Sequence, residues 1–153
     1  MPLEIKSASV AYIHYLSIML CFGALLFECI SLKVEPNRKE SISMVFADLI
    51  YGVSGIALLI SGIYRVIKFG QGSEFYTQNP FFWTKIIIFA LVGSLSLYPT
   101  ITYVSWAIPL SKGKLPIVKE NLVSRLRLII KIELIGFASI PFFATLMARG
   151  IGL

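Results

Sequence analysis

The chain has 153 residues, of which 57% are hydrophobic and 14% charged, and its formal net charge at pH 7 is +6. A soluble domain carries about 25% charged residues, so this composition indicates a membrane protein. In that setting positive charge is typical of the loops that fix orientation. Because the sequence has no basic groove interleaved with aromatic residues, we do not expect nucleic acid as a partner.

Four long apolar stretches, separated by short segments rich in charge, glycine and proline, divide the sequence. A helix needs about 20 residues to cross a bilayer, so each stretch is long enough to span one. They predict spans at about 8–32, 43–67, 82–107 and 122–147. We therefore expect an all-α fold, an integral membrane up-and-down four-helix bundle, in which residues 1–153 form a single domain.

Small and aromatic residues add detail to the predicted spans. Gly55 and Gly62 are spaced by seven in the second span, which favours close contact with another helix. Tyr103 and Trp106 lie towards the end of the third span, where aromatic side chains often mark the membrane interface. Pro99 is inside that span and is expected to kink it.

Lysine and arginine residues are concentrated near the first and third loops, with eight there against four on the opposite side. By the positive-inside rule, these two loops face the cytoplasm and both termini lie in the periplasm or lumen of a plasma or thylakoid membrane. The bilayer itself is the expected partner. The eight are Lys33, Arg38, Lys39, Lys112, Lys114, Lys119, Arg125 and Arg127, and the four are Lys6, Arg65, Lys68 and Arg149.

The single histidine, His14, lies inside the first predicted span. An ionisable side chain within the membrane is costly, so it is a candidate functional residue. Lys85 and Arg65 are near the ends of their spans on the same side, within roughly 10 Å of the same surface by helix rise. A helix–helix hydrogen bond explains His14 about as well, and snorkelling to the headgroups explains the two cations.

A second polar layer is predicted near the opposite membrane face. Glu28 and Asp48 lie at this depth, and Arg125, Arg127, Lys131 and Glu133 open the fourth span. The ion pairs are expected between Glu28 and Asp48 on one side and Arg125 and Lys131 on the other. Opposite charges at one depth predict an intramembrane ion-pair cluster, which has either a functional or a purely structural role.

A polar stripe connects the two layers along the first span. His14, Cys21 and Glu28 are spaced by seven, so they share one helix face. Such a face is expected to point at other helices rather than at lipid.

Two segments resemble a known family. AYIHYLSIMLCFGALLFE and NPFFWTKIIIFALVGSLSLYPTITYVSW are similar to the predicted membrane proteins of domain of unknown function 2214, which are common in cyanobacteria. The resemblance covers nearly the whole chain, and NPFFWTK with SLYPT is its most specific part. It implies a membrane protein and no particular activity.

The layout also resembles, more distantly, HemJ-type protoporphyrinogen oxidases and the membrane domain of CopD-like copper proteins. HemJ-type proteins have a functional histidine in an early helix and a functional lysine at the start of a later helix. The matching positions in this sequence are His14 and Lys85. This resemblance implies catalytic roles for both residues, with haem b or a porphyrin as ligand, His14 on a haem iron, and a membrane oxidoreductase if the protein is an enzyme. Arg65 and Lys85 are suited to the propionates.

One histidine per chain excludes bis-histidine haem ligation within a monomer. The second axial position is then open, or is filled by a Met, Lys or Tyr or by His14 of another copy.

Two other functions remain open at this point. Short loops and small-residue faces also suit a non-catalytic subunit that assembles or stabilises a larger membrane complex, or a homo-oligomer. Charged residues at both faces would also suit a small transporter or copper permease. However, the sequence has no methionine-rich or multi-histidine run of the kind that binds copper.

Overall fold

A computed structural model describes residues 2–70 and 72–152, without the side chain of Ser73. Within these residues the fold is helical and contains no strand, which confirms the predicted all-α four-helix membrane bundle. Four helices are long and the fifth is short. They are α1 (Leu3–Ser31), α2 (Arg38–Ile67), α3 (Ser73–Thr77), α4 (Pro80–Ser111) and α5 (Glu120–Ala148).

Three of the long helices, α1, α2 and α4, extend several residues beyond one end of their predicted spans. At α2 and α4 a capping group rather than hydropathy fixes the first residue. At the start of α2, the Asn37 side chain accepts a hydrogen bond from the Glu40 amide (2.9 Å), and the Glu40 carboxylate accepts one from the Asn37 amide (2.9 Å). This is a capping box. At the start of α4, Asn79 accepts a hydrogen bond from the Phe81 amide (2.9 Å), and Pro80 occupies the first helical position.

The four long helices form an antiparallel ring in the order α1, α2, α4, α5. Each packs against its two neighbours in this order, whereas contact across the ring is made by side chains, as between the rings of Tyr51 on α2 and Phe137 on α5, whose centroids are 6.1 Å apart. The most extensive contacts are within the α1–α2 pair and the α4–α5 pair. We call these pairs the first hairpin and the second hairpin.

The two ends of the bundle are distinct. At one end, Arg127 donates a hydrogen bond to the Leu32 carbonyl (2.7 Å), so the start of α5 meets the loop between α1 and α2. At the other end, the Asn79 side chain donates to the Ile151 carbonyl (3.1 Å), which ties the C-terminal segment to the start of α4. We call these the loop end and the terminal end. The short helix α3, in a segment expected to be a loop, packs on α2 and α4 at the terminal end.

The distribution of side chains is inverted relative to a soluble protein. Aliphatic residues point outwards, as Ile30 (74% exposed) and Ile135 (71% exposed) do, whereas many buried residues are polar. Each long helix is also long and apolar enough to cross a membrane, with mean hydropathy between 1.7 and 1.9 over its most apolar window. An apolar exterior around a partly polar interior is suited to hydrocarbon. The buried polar residues are Ser17, Glu28, Ser41, Asp48, Ser54, Ser61, Asn79, Ser96 and Glu133.

Tyr103 and Trp106 are in the bundle interior rather than at the membrane interface. Their side chains are 0% and 4% exposed, and their rings pack edge to face with centroids 5.1 Å apart. The expectation of an interfacial belt at these two residues is therefore wrong. The physical reason is their helical phase, since they continue the buried face of α4 that includes Ser96 and Pro99.

Two glycines permit close approach between helices. A Cβ atom at Gly136 on α5 would lie 2.5 Å from Cγ2 of Val92 on α4, and one at Gly62 would lie 3.2 Å from Cε1 of His14. At Gly55, where the sequence also predicted a close contact, a Cβ atom would meet nothing within 4 Å. Close packing at glycine therefore depends on which helix lies opposite, not on spacing alone.

The Gly136–Val92 contact gives a stability prediction. We expect Gly136→Ala to lower the free energy of unfolding in detergent by about 1–3 kcal/mol, because Val92 is buried and a β-branched side chain has little rotamer freedom in a helix. Gly93→Ala on α4 is the matched control, since its Cβ atom would meet nothing within 4 Å. Chemical denaturation followed by circular dichroism measures both variants. Equal stability of the two would contradict this role for Gly136.

Candidate functional site

His14 is half-buried on α1 and faces α2 near the terminal end. Its Nδ1 lies 3.0 Å from the Ser61 hydroxyl oxygen. That hydroxyl also donates to the Ala57 carbonyl (2.6 Å) along its own helix. With its hydrogen donated there, the oxygen is left to accept from the imidazole, and from these contacts we assign the ring proton to Nδ1. The Leu58 carbonyl is a second acceptor beside the ring.

This assignment leaves Nε2 of His14 with its lone pair free. An imidazole nitrogen in this state can accept a proton or bind a metal, and a hydrogen bond at the other nitrogen is what usually fixes the ring for that task. Gly62 leaves room for the His14 ring because it has no side chain. A Cβ atom added there would lie 3.2 Å from Cε1 of the ring.

Two cations lie close to His14, as the sequence predicted for this depth. Arg65 and Lys85 both interact electrostatically with the imidazole. Arg65 Nη2 donates to the Tyr15 hydroxyl (3.3 Å), and its guanidinium lies 5.0 Å from the Tyr15 ring centroid. Lys85 Nζ lies 3.8 Å from Met147 Sδ. Together His14, Arg65 and Lys85 form what we call the cationic layer.

No carboxylate neutralises the cationic layer. Within residues 2–70 and 72–152, one ion pair has its nitrogen and oxygen atoms within 4 Å of each other. It joins Lys33 Nζ to Glu40 Oε1 (2.8 Å) and lies at the loop end, away from the cationic layer. A site with two cations and an open imidazole nitrogen is suited to an anionic ligand.

A second set of polar groups is buried nearer the loop end. Glu28 on α1, Asp48 on α2 and Glu133 on α5 are 1%, 6% and 0% exposed. Each carboxylate interacts electrostatically with the other two. By helix rise, Glu133 lies about 20 Å along α5 from its first residue, well inside a span that crosses about 30 Å of hydrocarbon.

Tyr103 completes this group from the fourth helix of the ring. It is 0% exposed, and it interacts electrostatically with Glu28, Asp48 and Glu133. We call these four residues the acidic cluster. Asp48 accepts a hydrogen bond from the Thr100 hydroxyl (2.8 Å).

The cations predicted to pair with these carboxylates are elsewhere. Arg125 and Lys131 are exposed, whereas Glu133, two residues beyond Lys131, is buried on the opposite side of α5. The structure thus brings Glu28 and Asp48 together and does not bring Arg125 or Lys131 to them. Residues two apart on a helix point in very different directions, so one turn of α5 carries both the exposed base and the buried acid.

A line of small polar side chains lies between the two layers. Cys21, Ser17 and Ser54 are buried where α1 and α2 face each other, and Cys21 Sγ lies 3.7 Å from the Tyr51 carbonyl oxygen. The predicted stripe of His14, Cys21 and Glu28 therefore does face the bundle. Both cysteines of the chain are free.

Neither layer has the geometry of a preformed site for a bare metal ion. Within the described part of the chain, no three His, Cys, Asp or Glu side chains are close enough to share one. Two surface grooves have volumes of about 410 and 440 Å³. The first lies beside Trp106 and Pro116, and the second beside Ser9 and Tyr12 near the start of α1.

The apolar exterior, the four long helices and the buried polar layers define a polytopic integral membrane protein. The chain belongs to the family described as predicted membrane protein DUF2214, whose model matches residues 6–152. No curated protein and no solved structure matches the chain.

The tautomer of His14 can be measured directly, because it is the only histidine in the chain. With ¹⁵N-labelled histidine, we expect the wild-type imidazole to carry its proton on Nδ1. Ser61→Ala removes one acceptor and should raise the fraction protonated on Nε2, while leaving the Leu58 carbonyl in place. Ser54→Ala, another buried serine of α2, is the control. Identical tautomer populations in the two variants would contradict the assigned hydrogen bond.

Proposed function

We propose that the protein binds haem or a related porphyrin in the membrane, with the cationic layer holding it. The observation that carries this proposal is the His14 ring, held at Nδ1 by Ser61, next to two cations with which no described carboxylate forms an ion pair. A haem presents the complementary chemistry, namely an iron that takes a nitrogen ligand and two propionate carboxylates. The distant resemblance of His14 and Lys85 to the HemJ pattern supports the same ligand class.

The donor set fits such a ligand. His14 Nε2 would ligate the iron, with Ser61 orienting the ring from Nδ1. The Arg65 guanidinium and the Lys85 ammonium would pair with propionates, and an arginine is well suited to a planar carboxylate. With one histidine per chain, the second axial position would be open, taken by another residue type, or provided by a second copy.

The volume at the site sets a condition for binding. Neither of the two grooves includes His14. A macrocycle at the cationic layer would lie between the two hairpins at the terminal end, where α1 and α2 carry His14 and Arg65 and α4 carries Lys85, and the hairpins would separate there to admit it. The contacts between the hairpins are less extensive than those within them, so they are the ones to open.

Bound iron would supply one-electron chemistry, and the role of the protein residues would be to ligate it and to hold the propionates. For an iron-free porphyrin, Nε2 of His14 would instead act as a proton acceptor. A membrane oxidoreductase acting on a porphyrin would need a residue that accepts a proton in this way.

Absorption spectroscopy tests the proposal. Protein purified from haem-replete cells, or reconstituted with haem in nanodiscs, is expected to show a Soret band that His14→Ala removes. Tyr12→Ala is the control, because it deletes an aromatic ring from the lipid-facing side of the same helix. A folded wild-type protein that takes up neither haem nor protoporphyrin would overturn the proposal.

The two cations give a separate prediction on affinity. Lys85→Met should weaken haem binding about tenfold, which corresponds to about 1.4 kcal/mol. The matched control is Lys68→Met, since Lys68 is an exposed residue at the end of α2. Haem titration measures both, and a loss of equal size in the two variants would show that Lys85 acts only through the overall charge of the protein.

A further inference from the structure

The acidic cluster draws one polar group from each helix of the ring. Glu28, Asp48, Tyr103 and Glu133 come from α1, α2, α4 and α5, and all are at most 6% exposed. Because four helices contribute to this region of the interior, the cluster forms only when the whole bundle is assembled. The cluster is distinct from the cationic layer, because His14 and Glu28 are separated by about 21 Å of helix rise along α1.

Several atoms of the cluster have no hydrogen-bond partner. Among the described residues these atoms are the Tyr103 hydroxyl, both carboxylate oxygens of Glu133, and Oε1 of Glu28. The Tyr103 hydroxyl is an observation separate from the carboxylates, because it is a fully buried donor without a partner that interacts electrostatically with all three of them. A buried polar atom without a partner costs about 1–3 kcal/mol, so four in one place indicate a missing ligand.

Among the residues that the structure describes, no cation supplies the missing partner. The groups facing the cluster are the thiols of Cys21 and Cys29 from α1 and the Tyr51 ring from α2, in addition to its four members. The nearby Arg127 guanidinium, on α5, is bonded to the Leu32 carbonyl instead. Three charged carboxylates without a counter-ion are not sustainable in hydrocarbon, because each ion costs several kcal/mol to bury.

We propose that Glu28, Asp48, Tyr103 and Glu133 form an intramembrane proton-binding site. A proton held among the carboxyl groups removes negative charge and supplies the donor that the orphaned oxygens lack. Glu133 and Glu28 carry it, because their free oxygens accept no hydrogen bond, whereas Asp48 already accepts one from Thr100. A metal ion fits less well, since no three of these acids converge on one point.

Infrared spectroscopy of the full chain in nanodiscs tests the site. At neutral pH we expect the carbonyl stretch of a protonated carboxyl group, a band that surface carboxylates do not give. Glu133→Gln should remove at least half of its intensity. Glu120→Gln is the matched control, because Glu120 is an exposed acid at the start of the same helix. The absence of the band from folded wild-type protein would overturn the proposal.

Chemical labelling provides a test that needs no variant, in case Glu133→Gln does not fold. Dicyclohexylcarbodiimide partitions into lipid and reacts with protonated carboxyl groups. Mass spectrometry of peptides should locate the label on Glu133 or Glu28 at neutral pH and not on Glu40, which is paired with Lys33 at the surface.

Two further outcomes of the labelling would count against a proton. Labelling that spares Glu28, Asp48 and Glu133 alike, in protein that also lacks the infrared band of a protonated carboxyl group, would mean that these acids are ionised. Labelling that Na⁺ or Ca²⁺ suppresses at constant pH would mean that a cation occupies the cluster. The test is independent of haem binding, since it is carried out on protein without added porphyrin and reads only the carboxyl groups.

Discussion

Hydrocarbon offers no hydrogen bonds, and the rest of this structure depends on that constraint. Backbone groups satisfy it by forming long helices, and polar side chains satisfy it by turning inwards. The outcome is a bundle whose exterior is aliphatic and whose interior contains serines, carboxylates and a histidine. The interior groups then have to find partners on other helices. His14 does so at Ser61 and Asp48 at Thr100, whereas Glu133 does not.

Most of the fold could be predicted from the sequence, because hydrophobic length is a direct signal of a membrane span. The number of long helices and their up-and-down order followed from it. The start of α2 did not, since the Asn37–Glu40 capping box belongs to a polar segment that hydropathy does not describe. Tyr103 was misplaced for a related reason. An aromatic residue near a span end is read as interfacial unless its helical phase is compared with that of Ser96.

The candidate sites were predictable along each helix and much less so between helices. The spacing of seven between His14, Cys21 and Glu28 predicts a shared face, and the depth of Lys85 follows from residue counting. The partners across the bundle depend on which helices are neighbours, and sequence spacing does not give that order. For this reason Ser61 could not be predicted as the partner of His14, and Glu133 could not be predicted to face Glu28 in place of a basic residue.

The ring order α1, α2, α4, α5 also bears on how the protein is made. The first hairpin carries Glu28 and Asp48, and the second carries Tyr103 and Glu133, so neither hairpin contains the complete acidic cluster. Each hairpin entering the bilayer alone would leave its own acids facing lipid. Only docking of the two hairpins covers both pairs at once. The same buried groups thus couple membrane insertion to tertiary assembly, because they raise the free energy of a chain whose hairpins have not yet docked.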